Sequence, residues 1–474
     1  MRLHTALLLA SALTVSETSL SKAEMLDRPP SPLTLDQAIQ FALDHYPSVR
    51  ASLARVTAAQ AGIDLTRTAY LPRIEAGYQA NISTFNKASG LFFMTPYTPP
   101  IWGRQADSVS YQGAWGSATG AALAWEPFDF GLRAANVEAA RAAERQNAAG
   151  VALTKLDVGL GVAEAFFNLL MVQQTVEAMK GNVERRRVFF DTVAVLVKTG
   201  LRPGVDASRA QAELVAARTQ LIQAEQAEGI ARATLAEVLG AAGQSLEALP
   251  GPLLSLSSEP ALPEPAPWAH PQAVAQKITA EVFRKRAEAL DRAWVPRIDV
   301  LGILFARGSS WTREGNRESG VGGLFPDTPN WAGGFALSFS LMDFASIRAK
   351  RSIELRTEQA ELAHYDQVVQ SLTGRHVKAI ETVKGARRVA LNTPLQVAAA
   401  RDTEMQARVR YQSGLASVVE VAEAQQLVVQ AAIDDALARL GVWRSLLGLA
   451  GARGDLEPFL EHVRSSAVNQ KKAG

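Results

Sequence analysis

Apolar positions follow two different spacings along this chain, and the sequence of spacings occurs twice. From 34 to 69 they recur at the 3.6-residue spacing of a helix. Thr34 or Asp36 can cap this helix, and Pro72 ends it, because proline lacks an N–H and disfavours helix in the residue before it. The period then drops to two: Ile74, Ala76, Tyr78, Ala80 and Ile82 alternate with Arg73, Glu75, Gly77, Gln79 and Asn81. A helical stretch over 131–198 follows with no proline, about 100 Å long at 1.5 Å per residue, too long for a packed globular domain. Gly200 suits a left-handed cap at its end. The second round predicts a helix over 271–294 closed by Pro296. Phe335, Leu337, Phe339 and Leu341 then alternate with Gly334, Ala336, Ser338 and Ser340. A long helix over 345–412 comes next, with Pro394 predicting a kink or local break, and it ends at Gly414.

The two rounds share residues as well as pattern. Ala69-Tyr70-Leu71-Pro72-Arg73-Ile74-Glu75 returns as Ala293-Trp294-Val295-Pro296-Arg297-Ile298-Asp299, and Phe128-Asp129-Phe130 as Met342-Asp343-Phe344. Gly200-Leu201 with Asp206 and Ala210-Gln211 returns as Gly414-Leu415 with Glu420 and Ala424-Gln425, and Pro47 pairs with Pro271. Ordered landmarks of this kind mark an internal duplication. The predicted organisation is a signal peptide over 1–23, a first repeat over 24–250 with its hairpin at 70–128 and a tip near 200, and a linker over 251–270. A second repeat over 271–452 has its hairpin at 294–342 and a tip near 414, and an irregular tail covers 453–474. The helices after each tip carry heptad seams rich in alanine. Ala207, Ala210, Leu214, Ala217, Leu221 and Ala224 lead the first; Val421, Ala424, Val428 and Ala431 lead the second. Glu228, Asp435 and Ser445 interrupt them. An antiparallel coiled coil without a channel would show the same period.

Composition narrows the picture. The 474 residues carry a net charge of +2, which gives no nucleic-acid signature. With 0 cysteines, disulfides, thiolate metal sites and thiol nucleophiles are excluded. Four strands are predicted, over 72–83, 117–126, 296–306 and 331–341, each long enough to span a bilayer. Aromatic residues crowd both hairpins, Tyr78, Phe92, Phe93, Tyr97, Trp102, Tyr111, Trp115 and Trp125 in the first and Trp294, Phe305, Trp311, Phe325, Trp331, Phe335 and Phe339 in the second. Such residues suit interfacial girdles, although a soluble β-core alternates in the same way. Open edges cannot face lipid, and the smallest transmembrane barrels have eight strands, so closure requires two chains or three. The competing reading is a soluble periplasmic coiled-coil scaffold, an interaction protein without a pore.

In its order and duplication the chain resembles the TolC-type outer-membrane efflux proteins over about 33–451. Leu33-Thr34-Leu35-Asp36-Gln37-Ala38 looks like the family's N-terminal opening, Leu71-Pro72-Arg73-Ile74 like its entry to the first strand, and Tyr411-Gln412-Ser413-Gly414-Leu415 like its periplasmic tip. The resemblance implies an α+β membrane protein in which long antiparallel coiled coils form an α-barrel. Four transmembrane strands per protomer would join a shared twelve-stranded barrel of a homotrimer. It further implies an outer-membrane location with a large periplasmic extension, contact with outer-membrane lipid, a periplasmic adaptor and an inner-membrane pump as partners, and no enzymatic activity, cofactor or metal. Unlike many members, the chain has no lipidated N-terminal cysteine. By the same resemblance Thr199, Gly200, Leu201, Ser413, Gly414 and Leu415 face the adaptor, and Glu420 and Glu423 line the pore constriction as carboxylate rings. Asp206 and Tyr411 match an inter-helix latch. Its basic member falls at Ala416, leaving Arg202 to rewire the latch or the latch absent. The glycines can also be plain caps, and the glutamates a solvated face. Catalytic motifs are lacking: the 6 histidines are scattered without HExxH spacing, and Lys198-Thr199-Gly200 lacks the upstream glycine of a phosphate loop.

Overall fold

The computed structural model describes residues 29–84, 109, 111–257, 266–310, 321–339 and 342–473. The expected signal peptide, the hairpin aromatics Phe92, Phe93, Tyr97, Trp102 and Trp311, and the strand-end residue Leu341 lie outside them.

Helix α1 (Leu35–His45) opens with a capping box in which the Thr34 hydroxyl accepts from the Gln37 amide, while the Gln37 side chain accepts from the Thr34 amide. The single helix predicted over 34–69 is in fact two. Tyr46, ahead of proline, turns extended at φ −67°, ψ 131°, and α2 (Pro47–Arg67) restarts with Pro47 in its first turn, where a missing N–H costs nothing. Strands β1 (Arg73–Thr84) and β2 (Gly113–Phe128) lead into α3 (Leu132–Lys198), one unbroken helix, and α4 (Gly204–Val238) returns antiparallel. The second repeat supplies α5 (Pro271–Leu290), β3 (Arg297–Ser309), β4 (Thr328–Ser338), α6 (Asp343–Gln412) and α7 (Val418–Arg453).

Helix α6 runs through Pro394 without the predicted break. Proline denies the Ala390 carbonyl its helical donor; the Thr393 hydroxyl lies 3.5 Å from that carbonyl and 2.9 Å from Asp435 Oδ1 on α7. Asp435, an interruption in the seam, therefore binds across it and also pairs with Arg439 at 2.8 Å. Ser445, another interruption, is buried and donates to the Val442 carbonyl.

The predicted irregular tail is a helix, α8 (Glu457–Ala473), which lays Phe459, Leu460 and Val463 into the main core. Gly454, at φ +80°, ends α7, and the Asp455 carboxylate accepts from the Glu457 amide to start α8. The core lies midway along the helices. Phe166, Phe167, Leu169 and Leu170 of α3 meet Ile39 of α1, Leu235 of α4 and Trp443 and Leu447 of α7 there. One window of α3 is apolar enough to cross a membrane by composition, and half of it is buried within the protein. The linker is clamped at this level, where the Trp443 indole N–H donates to the Ser255 carbonyl at 2.9 Å.

Three histidines sit in the same layer with their pKa values lowered by burial: His270, His376 and His462. His270 Nδ1 accepts from the Gln272 amide to cap α5, while Nε2 faces the Gly451 carbonyl at 3.2 Å, so the neutral tautomer satisfies both. Because the folded pKa lies below the ordinary 6.5, their stability contribution is complete above that value and is lost as pH falls from it toward the folded pKa. Acidification from pH 7.5 to 5 should lower the melting temperature. His376→Gln should shrink that dependence, and an unchanged pH slope would show that His376 does not contribute.

The strands form one antiparallel sheet in the order β1-β2-β3-β4. Register sorts the side chains. Ile74 faces Leu123, Tyr78 faces Thr119, and Ile82 faces Trp115; on the same face Ala121 meets Leu304, Leu304 meets Trp331, and Val300 meets Phe335. The opposite face carries Arg73, Glu75, Gln79, Arg297, Asp299 and Arg307. On that charged face β2 presents only alanine and glycine from 114 to 124: Ala114, Gly116, Ala118, Gly120, Ala122 and Ala124. One surface is thus mostly hydrocarbon and aromatic, broken only by small hydroxyl residues such as Ser117 and Thr119, with Ile74, Tyr78, Leu304, Trp331 and Phe335 all exposed, as for a wall between lipid and water.

At the base of the sheet, Arg133 binds three elements. Its guanidinium donates to the Ala69 carbonyl after α2 at 3.1 Å and to the Glu126 carbonyl in β2, and it pairs with Asp129 at 3.1 Å. It also lies 5.0 Å from the Tyr70 ring centroid. Asp129 in turn accepts from the Gly131 and Arg133 amides, capping α3. The corresponding residue of the second repeat, four after Asp343, is Ile347.

Candidate functional site at the helical tips

Both long helices end in the same hydrogen-bonded turn. At the first tip the Leu201 amide donates to the Leu196 carbonyl and the Gly200 amide to Val197; at the second, Leu415 donates to Arg410 and Gly414 to Tyr411. This double closure needs a left-handed residue, and Gly200 and Gly414 supply it at φ +73° and +80°. Thr199 and Ser413 occupy the preceding cap positions, each hydroxyl donating to the carbonyl four residues back. Leu201 and Leu415 project into solvent, each 71% exposed. The six residues assigned to the tips by resemblance thus form two matching apolar knobs on rigid turns.

The second turn is bolted to the first. Tyr411, 1% exposed, packs edge-on against Phe189 of α3 at 5.4 Å and donates to Asp206 Oδ2 of α4 at 3.3 Å. Arg202 lies over the Tyr411 ring, 4.3 Å from its centroid, and donates to the Tyr411 carbonyl. Burial, then the Asp206 charge, raises the Tyr411 pKa above its ordinary value, so the phenol stays protonated as a donor. The structure therefore brings Arg202, Asp206 and Tyr411 together, with Arg202 as the basic member. Ala416 is buried in the same small core beside Val418 and Val421.

Glu420 and Glu423 both face outward from α7, but their surroundings differ. Glu420 closes the capping box of α7: its carboxylate accepts from the Ser417 amide at 3.0 Å, and its own amide donates to the Ser417 hydroxyl. The Ser417 amide and hydroxyl, with Arg410 at 4.0 Å, hold its carboxyl below the ordinary range. A local motif thus explains why a glutamate stands at 420. Glu423 sits one turn further along the exposed face.

Sequence reasoning missed Arg186. Only 5% of this residue is exposed; it donates from α3 to the Ala422 carbonyl of α7 at 3.0 Å and pairs with Glu213 of α4 at 3.5 Å. Burial lowers its pKa and the Glu213 charge opposes that shift. One guanidinium thus joins both hairpins above the tip. Its only signal is the run Arg185-Arg186-Arg187, which reads as a solvated stripe.

The same chain path occurs in solved structures. VceC from Vibrio cholerae superposes with a TM-score of 0.70 at 17% identity, covering 89% of this chain and 96% of that one. CusC gives 0.72 at 16%, covering 92% and 96%. The open state of MtrE from Neisseria gonorrhoeae gives 0.68 at 18%, covering 89% of each chain. These likenesses show the fold. The family model for outer membrane efflux proteins matches residues 38–241 and 269–455, most of the chain and both repeats. The chain belongs to the outer membrane efflux protein family. Two relatives are similar in sequence. Protein CyaE of Bordetella pertussis is 29% identical over 224 residues, 47% of this chain and 43% of that protein. Fusaric acid resistance protein FusA of Burkholderia cepacia is 23% identical over 337 residues, 67% of this chain and 57% of that protein. The matches span about half the length of these relatives. Within the family fold, the two repeats supply the helical-barrel segment and the β-strands of an outer-membrane channel.

Proposed function

We propose that this efflux protein is the exit duct of a tripartite export assembly. Three copies close a twelve-stranded barrel in the outer membrane, their helices form a tunnel across the periplasm, and the tips dock a periplasmic adaptor coupled to an inner-membrane pump. The duct is passive and performs no catalysis.

The observation that carries this reading is a contact made once within a duplicated chain. Strand β2 of the first repeat pairs with β3 of the second, and α5 packs on both α3 and α6. Duplication assigns the same relation to β4 with β1, and to α6 with α2. Among the described residues, neither contact is made within the chain. α6 accordingly leaves Ile353, Leu362, Leu391 and Leu395 exposed along its length. A neighbouring copy supplies the missing β1 and α2, and the series closes when the ring closes. The apolar face of the sheet disfavours the soluble scaffold, which would hold exposed Trp331 and Phe335 in water. Native mass spectrometry of protein extracted from outer membranes with detergent should show trimers. Recovery as soluble monomer would overturn the reading.

At the constriction the two glutamates should separate. Glu423→Gln should weaken block by multivalent cations in planar bilayers, since a ring of like charges concentrates cations. Glu420→Ala should chiefly loosen the start of α7, because it opens the capping box with Ser417, whereas glutamine there would keep the box as Gln37 does in α1. Equal block in wild type and Glu423→Gln would place the cation site elsewhere.

A further inference from the structure

We infer that the inner wall of the barrel carries a binding trough for amphipathic organic anions, a site distinct from the tips, and this rests on the duct reading above. The charged face of the sheet is the one that faces the lumen, because the other carries no charged residue among its paired positions and is mostly apolar. A water-filled barrel should be polar along that inner face. Strand β3 departs from this, placing Leu301, Ile303 and Phe305 on the charged face, between Asp299 and Arg307.

Their neighbours are all short on the side where the trough lies. Leu301 stands between Ala124 and Gly334, and Ile303 between Ala122 and Ala332. With nothing tall on either side, the two large side chains floor an open depression of about 500 Å³, with Arg73 and Glu75 on its rim. That volume lies within the range of small-molecule sites, roughly 300–1,000 Å³. Leu301 is 45% exposed, so the floor is accessible.

Arg73, on the rim of the trough, orients the occupant. Arg297 and Arg307 of β3 stand on the same face. A planar guanidinium takes a carboxylate through two parallel hydrogen bonds. A flat apolar body resting on Leu301 and Ile303 with its carboxylate on Arg73 uses both halves of the site. Such a solute would pause in the barrel before release.

The test uses the purified trimer in planar bilayers, with naphthalene-2-carboxylate added on the barrel side, so that the state of the tips does not limit access. Wild type should be blocked, acetate should not block, and a naphthyl trimethylammonium cation should block less. Leu301→Thr/Ile303→Thr and Arg73→Gln should each raise the half-blocking concentration about tenfold while leaving unitary current in place. Ala332→Phe, which fills the trough from the opposite strand, should abolish block even if the threonine pair fails to assemble. Binding of the fluorescent naphthoate to protein in nanodiscs reads the site independently of current. Lack of channel current with Arg73-dependent naphthoate binding would refute the duct and leave the trough standing. Equal block or binding in wild type and variants, or stronger block by the cation, would overturn the trough.

Discussion

Replacing Arg133 by alanine should dismantle the joint between helices and sheet. The side chain is 7% exposed and its partner Asp129 13%. Removing it leaves a shielded carboxylate without its cation, and the Ala69 and Glu126 carbonyls without the donor they share. Breaking such a pair costs about 3–5 kcal/mol. The expected result is a trimer that falls apart at lower denaturant concentration and accumulates poorly in the outer membrane. Arg133→Lys should recover part of this, since an ammonium meets the charge but not three acceptors in a plane. The control is internal: Ile347→Ala, at the matching place in the second repeat, should be mild. Comparable losses in both variants would show that the joint depends on packing rather than on the guanidinium.

The largest functional effect is expected at Gly414→Pro. Proline fixes φ near −65°, whereas this position stands at +80°, and it removes the N–H that donates to the Tyr411 carbonyl. The turn must then open, moving the Leu415 knob and releasing Tyr411 from Asp206 and Arg202. The nearest strand residue lies far along α6, so the barrel is untouched. Export should drop to background while trimer yield stays at the wild-type level, measured by substrate accumulation and by quantifying trimer in outer membranes. Equal loss of trimer would make the tip a folding element instead of a docking one.

The local signals were legible where one residue type enforces one geometry. Alternation placed the first and last strands, with β1 predicted over 72–83 and found at Arg73–Thr84, and β4 predicted over 331–341 and found at Thr328–Ser338. Gly200 and Gly414 marked both tips because little else tolerates their backbone. The break at Tyr46–Pro47 was equally available, but the helical spacing on either side masked it. The final helix was not foreseen in the tail read as irregular; Pro458 is no obstacle to it, because it falls in the first turn of α8, where proline is harmless. The continuous path through Pro394 and the burial of Arg186 lay beyond local reading, because each depends on α7. Asp435 meets Thr393 across the seam, and Ala422 meets Arg186 from 236 residues away in sequence. Glu420 was legible as an acid near the second tip, whereas its engagement by Ser417 required the geometry of the turn.

The lumen side of β2 from 114 to 124, built from alanine and glycine, makes the calibre of the barrel open to tuning. Each chain contributes one such strand, so a single codon change there acts at every symmetry-related point of the ring at once. The added bulk would project inward and leave the lipid-facing surface as it was. Bore and membrane fit can therefore evolve separately. A lineage could move from narrow to wide cargo by trimming or enlarging methyl groups along one strand, with no cost to insertion.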